Sequence, residues 1–141
     1  MGIRATKRDT QSRYDHTKHY FTRYGLDMLT AGRELHEVGE EFRELMKTGI
    51  THLVVICLNG SSLSHFQPQE IFGAVVERAY SALAEELKQA LTLSKLGSEA
   101  EIEISKVINT SLDWAKEQVL KRNPQDMVKL LRQDAKQSYV C

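Results

Sequence analysis

The sequence predicts an all-α fold of about four helices, led by one long N-terminal helix, with one apolar segment that reads equally well as a short strand. Three observations carry this. Apolar residues recur at three- and four-residue spacing along most of the chain, and only two prolines, Pro68 and Pro124, interrupt its 141 residues. The gaps between apolar runs hold helix stops and starts, not the closely spaced turns of a many-stranded sheet.

The first helix is expected to start between Ser12 and Thr17 and to run to Lys47. Tyr14, Phe21, Met28, Leu35 and Phe42 take heptad position a, and Tyr24, Ala31, Val38 and Leu45 take position d, with Thr17 the single break. Thr48 and Gly49 are read as its stop. Gly25, Gly32 and Gly39 fall seven residues apart at position e, in one line beside the seam. Each interior glycine costs a helix about 1 kcal/mol relative to alanine, so the line implies a second backbone packed unusually close. Phe21, Tyr24, Gly25, Met28, Ala31, Gly32, Leu35, Val38, Gly39 and Phe42 are therefore the candidate interface of a homodimer or higher oligomer, paired in the manner of a coiled coil. An antiparallel helix of the same chain could fill the same seam, and a helix break at Gly25 or Gly32 is the competing reading of the glycines. Arg33 with Glu37, Glu40 with Arg43 and Glu44 with Lys47 are spaced to pair on the outer face.

Residues 50–58, ITHLVVICL, are rich in β-branched side chains and bracketed by Gly49 and by Asn59-Gly60. That is the pattern of a short buried strand, and equally of a buried helical segment. Pro68 suits the first turn of the next helix, in which Phe72, Val76, Ala79, Leu83, Leu87 and Leu91 trace an apolar face as far as Gly97. Ser98 followed by Glu101 reads as a capping box opening a third helix, with Ile104, Ile108, Leu112, Ala115 and Val119 inward. Asn123-Pro124 ends it and opens a fourth, carrying Met127, Val128, Leu130, Leu131 and Ala135.

Composition bounds the function loosely. Equal numbers of Lys/Arg and Asp/Glu, 19 of each, give zero net charge, but the distribution is uneven. Residues 1–23 carry six cations against two anions, residues 24–104 six against thirteen, and residues 105–141 seven against four. Residues 1–12 are expected to be a mobile basic arm on a single helical domain of residues 13–141. Arg4, Lys7, Arg8, Arg13, Lys18 and Arg23 are the candidate contacts to nucleic acid phosphates, DNA or RNA undecided. The aromatic residues among them suggest stacking on single strands, but Tyr14, Phe21 and Tyr24 fall on the seam, which leaves Tyr20 free.

Other chemistry is thinly represented. The longest apolar run, residues 53–58, is far short of the roughly 20 residues of a membrane span, and without a secretory signal a cytoplasmic setting is the expectation. Gly2 with Thr6 matches an N-myristoylation pattern with Lys7 and Arg8 beside it, which would make a membrane-attached adaptor. His16 and His19 could share a helix face, yet no third ligand completes a metal site, and no cofactor is expected. A small enzyme would draw on His52, Cys57, Ser61 and His65, for which no orienting acid is identifiable. The expectation is a non-catalytic homo-oligomeric adaptor or regulator touching nucleic acid, with a protein-only assembly module as the alternative.

Overall fold

In a computed structural model the chain is described over residues 7–60 and 68–123. It is all-α. Four helices are present there: α1 (Lys7–Leu29), α2 (Leu35–Gly60), α3 (Pro68–Leu93) and α4 (Ser98–Leu120). They are not quite the expected four, because the long N-terminal helix is divided in two. The helix expected beyond Pro124 lies outside the described residues, as do Gly2, Arg4, Ser61 and His65.

The division falls at residues 30–34. Thr30 closes α1 by donating both its backbone N–H and its hydroxyl to the Leu26 carbonyl, at 3.0 and 2.9 Å. Gly32 then adopts φ +82°, a left-handed conformation that a glycine enters without steric cost. Arg33, now in the turn, reaches past Glu37 to make a two-pronged hydrogen bond with Glu41 at 2.7 and 3.1 Å. That bond holds the Glu41 carboxyl below its usual pKa.

The heptad seam is thus folded back on itself. Phe21, Val38 and Phe42 are buried in the core of this one chain, Gly25 is buried, and Met28 and Leu35 are half-buried against it. Ala31 and Gly32 are exposed in the turn. Of the three aligned glycines, only Gly25 admits a close approach: a Cβ there would lie 2.8 Å from Phe42 Cε1 and 3.2 Å from Met46 Cε. A Cβ on Gly39 would meet nothing within 4 Å. Gly49, expected to stop the helix, instead receives the Phe21 ring, 3.1 Å from where its Cβ would stand.

Residues 50–58 resolve as the continuation of α2, not as a strand. Leu53, Val54 and Val55 are wholly buried and Ile56 nearly so. α2 packs against all three other helices, so this segment is apolar on nearly every side, as a central helix is. Thr48 and Thr51 bond back to the carbonyls of Glu44 and Lys47, at 3.0 and 2.8 Å, which settles their hydroxyls within the helix.

The helices run up, down, up and down. Gly25 against Phe42 and Phe21 against Gly49 set α1 antiparallel to α2. Tyr80 with Asp113 at 2.6 Å and Glu77 with Lys116 at 3.2 Å set α3 antiparallel to α4. Lys18 with Glu86, and Arg78 over the Tyr14 ring, set α1 alongside α3. Trp114 of α4 lies under Arg43 and Lys47 of α2, at 4.6 and 5.5 Å from its ring centre. The expected capping box is not formed: Gly97, at φ 99°, is the residue before α4, and no side chain caps the helix. The backbone N–H of Glu101 bonds the Gly97 carbonyl instead. Among the described residues no helix is long and apolar enough to cross a membrane.

Candidate docking surface on the outer face of helix α1

The inner stripe of α1 is Tyr14, Phe21, Gly25 and Leu29, all buried. With Gly25 rather than Tyr24 facing α2, the helix is rotated about one position from the a/d seam. Tyr24 is turned outward and is 50% exposed, beside Tyr20 at 54%. The rotation has a physical basis. A glycine accepts the Phe42 ring, whereas a tyrosine in its place would need both space and a partner for its hydroxyl.

The outer face that results is distinctive. His16, His19, Tyr20, Arg23, Tyr24 and Asp27 line a shallow depression of about 360 Å³. The two tyrosine rings lie 5.9 Å apart at 38°, and Tyr20 also sets its ring edgewise on buried Phe21, 5.2 Å away at 86°. Tyr20 is therefore held against the core while half of it faces solvent. His16, Arg23 and Asp27 are exposed, and none has an ion-pair partner among the described residues. One edge of the face is anchored to α3: Glu86 stands 4.0 Å from Lys18 and 3.9 Å from His19.

This geometry separates the six candidate phosphate-binding cations. Lys18 is three-quarters covered and engaged by Asp15 and Glu86. Arg23 sits in the tyrosine-lined depression beside Asp27, and Arg13 is exposed about two turns before Tyr20. Lys7 and Arg8 open α1, and Arg4 lies outside the described residues. His16 and His19 find no third metal ligand, since no group of three His, Cys, Asp or Glu able to hold a metal occurs among the described residues.

The catalytic candidates fare differently. His52 rests edgewise on Phe21, 5.4 Å between ring centres. Cys57 is half-buried, and burial raises its thiol pKa, which keeps it in the less nucleophilic protonated form. A second depression, about 420 Å³, runs between α3 and α4 over Ala84, Leu91 and Ile108, with Glu85 and Lys88 on its rim. No strongly exposed aromatic side chain marks it, and Tyr80 at its edge is tied to Asp113.

Sequence reasoning placed Tyr20 outside and missed Tyr24. A signal for the whole face was present: His16, Tyr20, Arg23 and Asp27 follow one another at four, three and four residues, a continuous stripe opposite the buried one. Comparison of the chain with protein-family models, with curated proteins and with solved structures gives no match.

Proposed function

We propose that the chain is a non-catalytic helical adaptor that works by docking, with the outer face of α1 as its protein-binding surface. The observation that carries this reading is the pair Tyr20 and Tyr24, both half exposed and flanked by Arg23 and His16 on the side of α1 turned away from its buried stripe. Tyrosine and arginine dominate the energetics of protein interfaces because they offer large, rigid contact areas with a polar tip.

A photo-crosslinking phenylalanine analogue placed at Tyr20 or at Tyr24, with exposed Glu103 of α4 as control, tests it in cells making the full chain. Protein adducts at positions 20 and 24 but not at 103 are expected. Equal adduct yields at all three positions, or none at any, would overturn the reading.

A second reading has its own observation. Exposed Arg13 and Arg23 bracket the two exposed tyrosines, the combination that stacks bases and neutralises phosphates on a single strand. Fluorescence-anisotropy titration with single- and double-stranded DNA and RNA, at low and near-physiological salt, decides it. Salt-steep binding that Tyr20→Ala and Arg23→Ala both weaken would favour it, and no binding at low salt would remove it.

A further inference from the structure

Resting on the protein-docking reading, we infer that the occupant of the α1 face is a second copy of this chain, packed antiparallel with α1 against α1. The argument comes from the order of the exposed stripe. His16, Tyr20, Arg23 and Asp27 are spaced four, three and four residues apart, and that spacing is the same read in either direction. A two-fold axis midway between Tyr20 and Arg23 therefore lays one stripe on another with the residues in register. It sets His16 opposite Asp27 of the other copy at both ends of the seam, and Tyr20 opposite Arg23 on either side of the axis.

Each of those pairings is chemically complementary. An imidazole N–H donates to a carboxylate, and a guanidinium lies on a tyrosine ring. A parallel arrangement would instead set Arg23 on Arg23 and Asp27 on Asp27, placing like charges together. Within one copy neither His16 nor Asp27 has an ion-pair partner among the described residues. His16 and Asp27 are eleven residues apart, about 17 Å along the helix axis, too far to meet each other within α1. Tyr20, braced against Phe21, brings a ring already ordered, so little side-chain freedom is lost on contact. The face is an isologous patch, the kind a two-fold dimer requires.

The seam is short. Four facing residues over about 17 Å cover less than the roughly 800 Å² per partner of a standard stable interface, so the dimer forms and dissociates with concentration instead of being permanent.

Sedimentation velocity over a concentration series, on the full chain, tests the inference through a charge swap. His16→Asp sets a carboxylate against Asp27 of the other copy, and Asp27→Lys sets an ammonium against His16. Each single variant is expected to weaken dimerisation about tenfold or more. The double variant His16→Asp/Asp27→Lys recreates complementary pairs across the axis and is expected to recover most of the loss. Any effect of either substitution on its own helix persists in the double, so only cross-copy pairing can produce recovery. Both sites are exposed, and unchanged helical circular dichroism confirms that the variants fold.

A wild-type chain that stays monomeric at every concentration overturns the second copy as occupant. So does a dimer that neither single variant weakens, or one that the double variant fails to restore. Crosslinks from positions 20 and 24 to a different protein, with a monomeric wild type, would sink this inference while leaving the docking reading standing.

Discussion

Gly25 and Gly39 stand at the same heptad position, yet their neighbourhoods predict opposite consequences for one added methyl group. At Gly25 the methyl would press on the Phe42 ring at 2.8 Å and on Met46 at 3.2 Å, so Gly25→Ala is expected to destabilise by about 1–3 kcal/mol through overpacking, less what the helix gains. At Gly39 nothing lies within 4 Å, and Gly39→Ala is expected to stabilise by about 0.5–1 kcal/mol. Urea denaturation of the two variants beside the wild type checks both signs. A raised midpoint for Gly25→Ala would refute the close approach there, and a lowered one for Gly39→Ala would refute the open space beside it. The seven-residue spacing was legible in the sequence, but spacing says only where a residue sits on a helical wheel. It cannot say that Gly25 meets a ring, that Gly32 makes a turn and that Gly39 faces open space. A second residue-scale prediction concerns Tyr80, whose hydroxyl donates to Asp113 at 2.6 Å. That bond to a carboxylate, ahead of burial, pushes its pKa up to about 12 from the usual 10.0. Because the folded pKa is the higher one, the stabilisation is complete below about pH 10 and is lost as the pH rises towards 12. The difference in urea midpoint between wild type and Tyr80→Phe should therefore narrow over that window. A constant difference would mean that the hydrogen bond does not control the titration.

At the scale of the element, residues 50–58 show why a β-branched apolar run misleads. Their composition suits a strand, but α2 lies against α1, α3 and α4 together, and a helix enclosed on three sides needs apolar residues nearly all round. Nothing in nine residues of sequence reveals how many neighbours the segment will have. The two local stop signals were overridden by packing as well: Gly49 is filled by the Phe21 ring, and Thr48 and Thr51 bond within the helix. The break at residues 30–34 came from the one glycine of the line that takes a left-handed conformation, so the choice between Gly25 and Gly32 depended on which had a partner helix beside it. α3 and α4 were legible almost to their ends, because a proline and a glycine punctuate them and their apolar residues recur at clear helical spacing. Since Leu53 is wholly buried at the centre of this arrangement, Leu53→Ala is expected to cost about 2–5 kcal/mol. A strand at the edge of a sheet would tolerate the change far better. Thermal unfolding by circular dichroism reads the result, and a loss under about 1 kcal/mol would contradict a central α2.

At the scale of the whole molecule, α1 has two faces with separate duties. Its inner stripe closes the bundle through Phe21, Gly25 and Leu29, while His16, Arg23 and Asp27 of its outer stripe are exposed and only Tyr20 there leans on the core. A substitution on the outer stripe should therefore leave the monomer's stability nearly unchanged and alter only what depends on concentration. If the outer face binds a second copy, folding and association are linked, because the dimer draws the equilibrium towards the folded state by mass action. The melting temperature of the wild type should then rise with protein concentration. Each kcal/mol of linkage raises it by about 2–4 °C for a domain of this size. Asp27→Lys should flatten that dependence while matching the wild type at the lowest concentration, where both are monomeric. Gly25→Ala, on the inner stripe, should do the reverse and lower the curve at every concentration without changing its slope. The contrast separates the two faces in one calorimetric series. Parallel curves for wild type and Asp27→Lys would show that the outer stripe takes no part in association, and the tyrosines would then have to serve a different partner.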